Sequence, residues 1–313
     1  MSNLIEFDHV TKEYHDTPVV ADLTLNIEEG ELFVLVGPSG GGKTTTLKMI
    51  NRLVTPNAGV IRMRGKAVTD YSLRELRWDI GYVLQQIALF PTMTVGQNIA
   101  LIPEMKHWPK AQVKAAVDDL LTAVKLPPAE YRDRLPKQLS GGEQQRVGII
   151  RALASKPPVV LMDEPFSALD PLVRTQLQDL VLELHAQLNT TIVFVTHDMT
   201  EALRLGDRIG VMHHAKLVQI GTPQEIAESP ASSFVDDFFA GARRDLLDTP
   251  VGELAEFGEP CDDGVSLAAD LPLSQVIAQL TEADTVIVRG EAGPFTLSRQ
   301  AVMRFLAART STN

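Results

Sequence analysis

The sequence predicts an α/β protein. It has a mostly parallel sheet, antiparallel strands ahead of it, a helical insertion and a small C-terminal α+β appendage. Three observations carry this. The run Gly37-Pro38-Ser39-Gly40-Gly41-Gly42-Lys43-Thr44 fits G-x-x-x-x-G-K-[ST], a loop that wraps phosphates between a strand and a helix. Val159-Val160-Leu161-Met162 and Thr191-Ile192-Val193-Phe194-Val195 are continuous apolar runs, the mark of central strands covered on both faces. Strand and helix patterns alternate near 31–86 and again over 158–226, as a parallel sheet requires.

Taken in order, residues 3–30 alternate apolar and polar, as in Leu4-Ile5-Glu6-Phe7, and predict short antiparallel strands. Glu31–Val36 reads as a buried strand, and Thr44–Leu53 as a helix with Leu47, Ile50 and Leu53 on one face. Residues 87–157 form the helical insertion. Within it, Lys110–Val124 carries Val113, Val117, Leu120, Leu121 and Val124 at helical spacing, and Gln144–Ala154 is a second helix. Pro127-Pro128 breaks the connection between them. Arg208–Met212 and Lys216–Ile220 read as two strands around His213-His214-Ala215. The two histidines are expected to be exposed turn residues with diverging side chains, not metal ligands. From 241 the composition shifts to acid, glycine and proline without strong periodicity as far as 270. Beyond it, Leu273–Leu280 reads as a helix, Thr285–Val288 as a strand and Glu291–Gly293 as a turn. Phe295–Leu297 reads as a strand and Arg299–Ala307 as a helix.

Composition narrows the class. The 313 residues suffice for one large domain plus a small one, or for two domains. With 44% apolar residues and mean hydropathy near zero, the chain reads as a soluble globular protein with a substantial core. No apolar run approaches the roughly 20 residues that span a bilayer. The start Met1-Ser2-Asn3-Leu4-Ile5-Glu6 lacks a basic segment followed by an apolar one, which argues against secretion. A net charge of −11 argues against a general nucleic-acid binder and against adsorption to anionic lipid. At a membrane, a protein partner must therefore hold this chain. The single cysteine, Cys261, excludes an intramolecular disulfide, fits a reducing cytosol and reads as a small semi-buried apolar residue.

The glycines of the phosphate loop let successive N–H groups point into one concavity, and the helix that follows adds partial positive charge. Lys43 can reach the β- and γ-phosphates, and the Thr44 hydroxyl can ligand Mg²⁺. Asp163 and Glu164 end an apolar strand. On a strand beside the phosphate loop, Asp163 lies near Mg²⁺ and Glu164 lies beyond it, suited to polarise an attacking water. Leu139-Ser140-Gly141-Gly142-Glu143-Gln144-Gln145 makes a second anion cradle, with Ser140 as a cap. One phosphate has no need of two cradles unless each serves a different copy of the protein.

In these residues the chain resembles the ATP-binding subunit of an ABC transporter, over roughly 3–240. Gly37–Thr44 resembles Walker A and Leu139–Gln145 the family's signature motif. Asp163 and Glu164 resemble Walker B and its catalytic glutamate, Ser167–Asp170 the D-loop, and His197 the switch histidine. Gln85 is placed as the Q-loop glutamine, ahead of Gln86, because it follows Tyr82-Val83-Leu84. Tyr14 falls where the family stacks an aromatic on adenine; the alternative is a surface aromatic. The resemblance implies a P-loop ABC-type ATPase fold with a RecA-like parallel core, an antiparallel β subdomain and a helical subdomain at about 87–157. The nucleotide-binding domain would cover 1–240 and the appendage 241–313. It implies ATP held by Tyr14, Gly37, Pro38, Ser39, Gly40, Gly41, Gly42, Lys43, Thr44, Thr45 and Gln85, with Ser140, Gly141, Gly142 and Asp170 also at the nucleotide. Mg²⁺ would be held by Thr44, Gln85 and Asp163, and catalysis would rest on Glu164, His197 and Lys43.

The family pairs two copies head to tail, so that each ATP lies between Walker A of one and the signature loop of the other. Gln85 and Ile87–Val95, with Phe90-Pro91, would pass motion to an integral membrane permease. One nucleotide module without a membrane segment resembles an importer, which works at the cytoplasmic face of the membrane, peripheral through its permease, and indirectly with a solute-binding protein. Thr46–Leu53, Trp108-Pro109-Lys110 and Glu130–Pro136 resemble the group that imports quaternary-amine osmoprotectants such as glycine betaine, carnitine and choline. An importer for an amino acid or an ion, or a soluble regulatory ABC ATPase without a permease, stay open as alternatives. Residues about 245–308 resemble a single divergent CBS module, with Ala301 where an acidic ribose contact is usual; a dimer-stabilising tail is the other reading.

Overall fold

The computed structural model describes residues 2–167, 169–247, 251–261, 266–282, 284–290 and 293–302. The chain forms two compact units. The first comprises Met1–Asp198 with Gly206–Ile220, and the second Met199–Leu205 with Gly221–Asn313.

The first unit opens with β1 (Asn3–Tyr14) and β2 (Thr17–Glu28), paired antiparallel. After β3 (Leu32–Val36) and α1 (Lys43–Ile50), β4 (Ala58–Met63) and β5 (Lys66–Ala67) complete a four-stranded sheet of order β2-β1-β4-β5. Leu4, Ile5, Phe7 and Val10 turn inward and set its register. Strands of 12 residues are longer than the alternation predicts, because bulges interrupt it. His9 and Asp22 both have φ of 51°, and His9 Nδ1 lies 2.7 Å from Asp22 Oδ1.

Then come α2 (Leu73–Trp78) and β6 (Ile80–Val83). The helical insertion follows as α3 (Val95–Met105), α4 (Lys110–Ala123), α5 (Pro128–Tyr131) and α6 (Gly141–Leu153). β7 (Val159–Asp163), α7 (Pro171–Leu188) and β8 (Thr191–Thr196) return the chain to the main sheet. Past α8 (Met199–Leu205), β9 (Arg208–His213) and β10 (Lys216–Gly221) finish it, in the order β10-β9-β3-β8-β7-β6. The strands from β9 to β6 are parallel to their neighbours. Every residue of β3, β7 and β8 is buried, as their unbroken apolar runs demand.

Two expectations are corrected here. Leu53 is 51% exposed and lies past the end of α1. Arg52 takes φ of 53°, which stops the helix and destroys the phase that would have placed Leu53 beside Leu47 and Ile50. The rings of His213 and His214 do not diverge: their centroids are 3.9 Å apart. His214 and Ala215 both take positive φ, and this tight turn folds the second ring back against the first.

The second unit contains α8, α9 (Pro223–Glu228) and α10 (Ser233–Leu247), then a 3-10 turn over Val251–Phe257. A four-stranded sheet of order β11-β14-β13-β12 follows, from β11 (Glu259–Pro260), β12 (Ser266–Ala268), β13 (Thr285–Gly290) and β14 (Gly293–Ser298). Its core joins Val251, Leu254, Val288, Phe295 and Leu297 to Leu273, Val276 and Leu280 of α11 (Leu273–Glu282). Ala301 is 2% exposed and belongs to this core, where a carboxylate would be buried. Residues 299–302 are helical; the rest of the expected Arg299–Ala307 helix and most of the Glu291–Gly293 turn lie outside the described residues. No helix among the described residues is long and apolar enough to cross a membrane.

Candidate nucleotide site

The site is built at the C-terminal ends of the central strands β3, β8 and β7 of the main sheet. Parallel register sets Val36 of β3 opposite Thr196 of β8, and Asp163 of β7 opposite Val195. The loop after β3, the end of β7 and the end of β8 therefore open on the same side, the usual place for a ligand in an open α/β sheet.

The phosphate loop has glycine where no side chain fits. A Cβ on Gly37 would lie 2.2 Å from the Met212 carbonyl oxygen, and one on Gly42 would lie 2.2 Å from that of Val19. Gly42 also takes φ of 94° as it caps α1. Lys43, only 4% exposed, curls back so that Nζ donates to the carbonyls of Gly37 at 2.7 Å and Pro38 at 2.9 Å. Burial pulls the Lys43 ammonium below the usual lysine range, opposed by the carboxylates of Glu164 and Asp163. An anion in the loop would offer that ammonium a charged partner in place of two carbonyls.

Thr44 Oγ1 donates to Asp163 Oδ1 at 2.7 Å, and the Tyr82 hydroxyl donates to Asp163 Oδ2 at 3.5 Å. Burial and the Asp163 charge together push the Tyr82 hydroxyl well above the usual tyrosine range. The hydroxyl and carboxylate of Thr44 and Asp163 are hard oxygen donors, the type that suits Mg²⁺ when phosphate oxygens and water supply the other positions. Glu164 begins the turn after β7. Its φ is 44°, unusual for a side chain of this size, and its N–H is held by the Val195 carbonyl at 2.9 Å. This conformation brings Glu164 Oε2 to 2.8 Å from His197 Nδ1.

The structure thus brings Lys43, Thr44, Asp163, Glu164 and His197 together. Pro38, Ser39, Gly40 and Gly41 complete the loop, and Thr45 follows half-buried on α1. Gln85 is exposed and lies outside this set; the segment after it is tied to α6 by Arg151 Nη1, which donates to the Ala88 carbonyl. Tyr14 is 43% exposed, with Lys12 Nζ 4.9 Å from its ring centre. Ser140 caps α6 by accepting from the Glu143 N–H, with Gly141 exposed beside it. A Cβ on Gly142 would meet Val173 Cγ1 at 2.9 Å, and Asp170 accepts from the Val173 N–H at 3.0 Å. The signature loop and Asp170 therefore meet at the start of α7. Of the D-loop, Ala168 lies outside the described residues.

Sequence reasoning missed three supports. Tyr82, used only to place Gln85, holds Asp163. Gln145 Nε2 donates to the Pro165 carbonyl at 2.7 Å and fixes the turn after Glu164 to α6. Asn98, wholly buried, pins residues 90–94 to α3. An asparagine amid the apolar Val95–Ile102 stretch was the available signal for the last.

The ABC transporter family profile matches residues 20–167. The "Glycine betaine/carnitine/choline transport ATP-binding protein OpuCA" of Bacillus subtilis (strain 168) is 46% identical over 288 residues, 91% of this chain and 75% of that protein. The "Sulfate/thiosulfate import ATP-binding protein CysA" of Gloeobacter violaceus is 47% identical over 238 residues, 76% of this chain and 67% of that protein. Among solved structures, the dimeric post-hydrolysis state of the ATP-binding cassette MJ0796 bound to ADP and Pi is similar, with a TM-score of 0.62 and 32% identity. That match covers 69% of this chain and 97% of the cassette. The loop, the carboxylate edge and these likenesses agree: the chain belongs to the ABC transporter family, among its ATP-binding subunits.

Proposed function

We propose that this ATPase powers import of a quaternary-amine osmoprotectant, of the class of glycine betaine, carnitine and choline, through a separate membrane permease. The observation that carries the cargo class is the reach of the likeness. Coverage of 91% of the chain by the glycine betaine/carnitine/choline relative necessarily runs past residue 240, whereas the 76% covered by the sulfate/thiosulfate relative need not. The nucleotide-binding domain is taken as 1–240 and the appendage as 241–313, a single CBS-like module or a dimerising tail.

In this reading ATP lies on the 37–45 loop with Tyr14 on adenine, and Lys43 turns from the Gly37 and Pro38 carbonyls to the β- and γ-phosphates. Thr44, Asp163 and Gln85 would hold Mg²⁺, which would supply positive charge against the phosphates. Glu164 orients water onto the γ-phosphorus. The water oxygen bonds to phosphorus as the bridging oxygen leaves on ADP, and the water proton passes toward the Glu164 carboxylate and phosphate. His197 holds Glu164 through Nδ1 and stabilises γ-phosphate charge. Ser140, Gly141, Gly142 and Asp170 act on the nucleotide of a second copy, docked head to tail. Moving such a pair from 1:99 to 99:1 closed takes about 5.5 kcal/mol of differential binding, within reach of two nucleotides each gripped from both sides. Loss of the γ-phosphate reopens the pair. Gln85 and the exposed Ile87 and Phe90 carry the motion to the permease at the cytoplasmic face.

The test is copurification of the chain with an integral permease from native membranes, followed by ATP-dependent uptake of labelled glycine betaine, choline and carnitine into vesicles. Uptake of at least one, abolished by Lys43→Ala, is expected. Uptake of sulfate or an amino acid instead would replace the cargo class. Full ATPase activity with no permease partner would favour the soluble regulatory reading.

A further inference from the structure

Ser140 does not stand alone at the head of α6. Its N–H donates to Glu143 Oε2 at 2.7 Å, and its Oγ accepts from the Glu143 N–H at 3.3 Å. The other oxygen of the same carboxylate, Oε1, accepts from the Tyr131 hydroxyl at 2.6 Å. Tyr131 ends the short helix α5, and its ring lies under the guanidinium of Arg134, 4.2 Å from the centroid. The segment that carries it is fixed to the start of α3. Val95 N–H donates to the Arg134 carbonyl and Gly96 N–H to the Arg132 carbonyl, both at 2.8 Å. A Cβ at Gly96 would meet Arg132 Cγ at 2.6 Å, so glycine permits this approach.

A glutamate at the third position of a helix suffices to close a capping box with the cap serine. It has no need of a tyrosine on its far oxygen. That second hydrogen bond removes the rotational freedom left to the carboxylate, and with it the freedom of the Ser140 backbone it holds. Tyr131 and Glu143 are both only partly covered. The Tyr131 contact draws the Glu143 carboxyl below the usual range and lifts the Tyr131 hydroxyl above its own, as a hydrogen bond to the charged acceptor should.

We propose that Tyr131 is a positioning residue for the nucleotide half-site that Ser140 offers to the second copy, acting through Glu143. The inference rests on the head-to-tail reading above. It gives the Glu130–Pro136 stretch a task in the ATPase cycle: it carries the tyrosine that sets the signature serine and is anchored to α3, the helix that follows the proposed permease-facing segment.

Mixed pairs of full-length chains test it, because they separate the centre that Tyr131 serves from the chain that carries it. One pair joins an unaltered chain to a chain carrying both Lys43→Ala and Tyr131→Phe. Its one working centre uses the altered signature loop, and its turnover is expected to be about tenfold below that of an unaltered chain paired with Lys43→Ala, short of the roughly hundredfold that misplacement by about 1 Å costs. The other pair joins a Tyr131→Phe chain to a Lys43→Ala chain. Its working centre uses an intact signature loop and is expected to keep the reference rate. Equal rates in the two pairs would overturn the proposal, since general destabilisation slows both alike. A Tyr131→Phe/Glu143→Ala double variant that is no slower than Glu143→Ala alone supports the route through Glu143; additive losses overturn it. Ser140→Ala in the same two layouts guards the underlying reading. If Ser140→Ala shows no dependence on which chain bears it, the head-to-tail site itself is wrong. If Ser140→Ala shows the dependence and Tyr131→Phe does not, the role of Tyr131 alone is wrong.

Discussion

Glu164 combines an unusual backbone conformation with a side-chain contact to His197. Its positive φ and its 2.8 Å contact with His197 both serve to aim one carboxylate. Replacing it by glutamine keeps the shape and removes the charge that, in the proposed mechanism, polarises water. Glu164→Gln is expected to bind ATP, accumulate as an ATP-bound dimer and lose at least about a hundredfold in turnover. Equilibrium binding, size-exclusion chromatography and phosphate release check the three parts; wild-type turnover would remove Glu164 from its role. Gly42→Ala is a different kind of loss. Its Cβ would collide with the Val19 carbonyl in a left-handed conformation, so a stability loss of about 1–3 kcal/mol in urea denaturation is expected before nucleotide is added. The residues proposed for catalysis could be located in the sequence because each sits at a fixed offset from an apolar strand: Lys43 after β3, Glu164 after β7, His197 after β8. Tyr82 could not, because its work depends on the carboxylate of Asp163, far along the chain, which no local pattern announces; Asn98 stood out in an apolar stretch, but its partners in the 90–94 backbone did not.

At the scale of elements, one buried polar side chain ties a loop to a helix. Asn98 is wholly buried on α3, accepts from the Phe90 N–H and donates to the carbonyls of Phe90, Met93 and Thr94. Asn98→Ala strands those groups and is expected to cost about 2–4 kcal/mol of stability by chemical denaturation, with increased proteolysis across 87–94. The head of α6 gives a pH prediction. Glu143 titrates below the ordinary value of 4.5 in the folded chain, so the folded state binds its proton less tightly than the unfolded state. Its contribution is complete above about pH 4.5 and disappears as pH falls through the depressed folded value. The stability difference between the unaltered chain and Glu143→Gln, followed by thermal melts in the presence of ADP, is expected to shrink below pH 4.5 and to stay constant from 6 to 8. Elements with one clean period, such as α4 with Val113, Val117 and Leu121 buried, were readable in advance. α3 was not, since Gly96 and Pro103 interrupt it and its stability comes from Thr94 capping and Asn98 bridging. The long β1 and β2 were read as short because bulges at His9 and Asp22 break the alternation that marks a strand.

The whole molecule comprises one unit whose central strand ends form the proposed nucleotide site and a second unit with its own apolar core. Because that core draws on Val251 to Val302, a chain stopped after residue 247 is expected to retain ATP hydrolysis. Steady-state ATPase checks this, and loss of turnover would make the appendage part of the ATPase itself. The parallel core was legible because continuous apolar strands leave few alternatives. The region from 241 to 270 was not: α10 runs into it as far as Leu247, and its strands, of two and three residues, are shorter than any period can register. The pairing of two copies is the claim on which the mechanism turns: neither Ser140 nor Lys43 completes a hydrolytic centre within one subunit. The direct measurement is ATPase activity after mixing a Ser140→Ala chain with a Lys43→Ala chain, each nearly inactive alone. Recovery of about one working centre per mixed pair is the predicted result. No recovery, with the mixed dimer shown to form in ATP, would contradict the account.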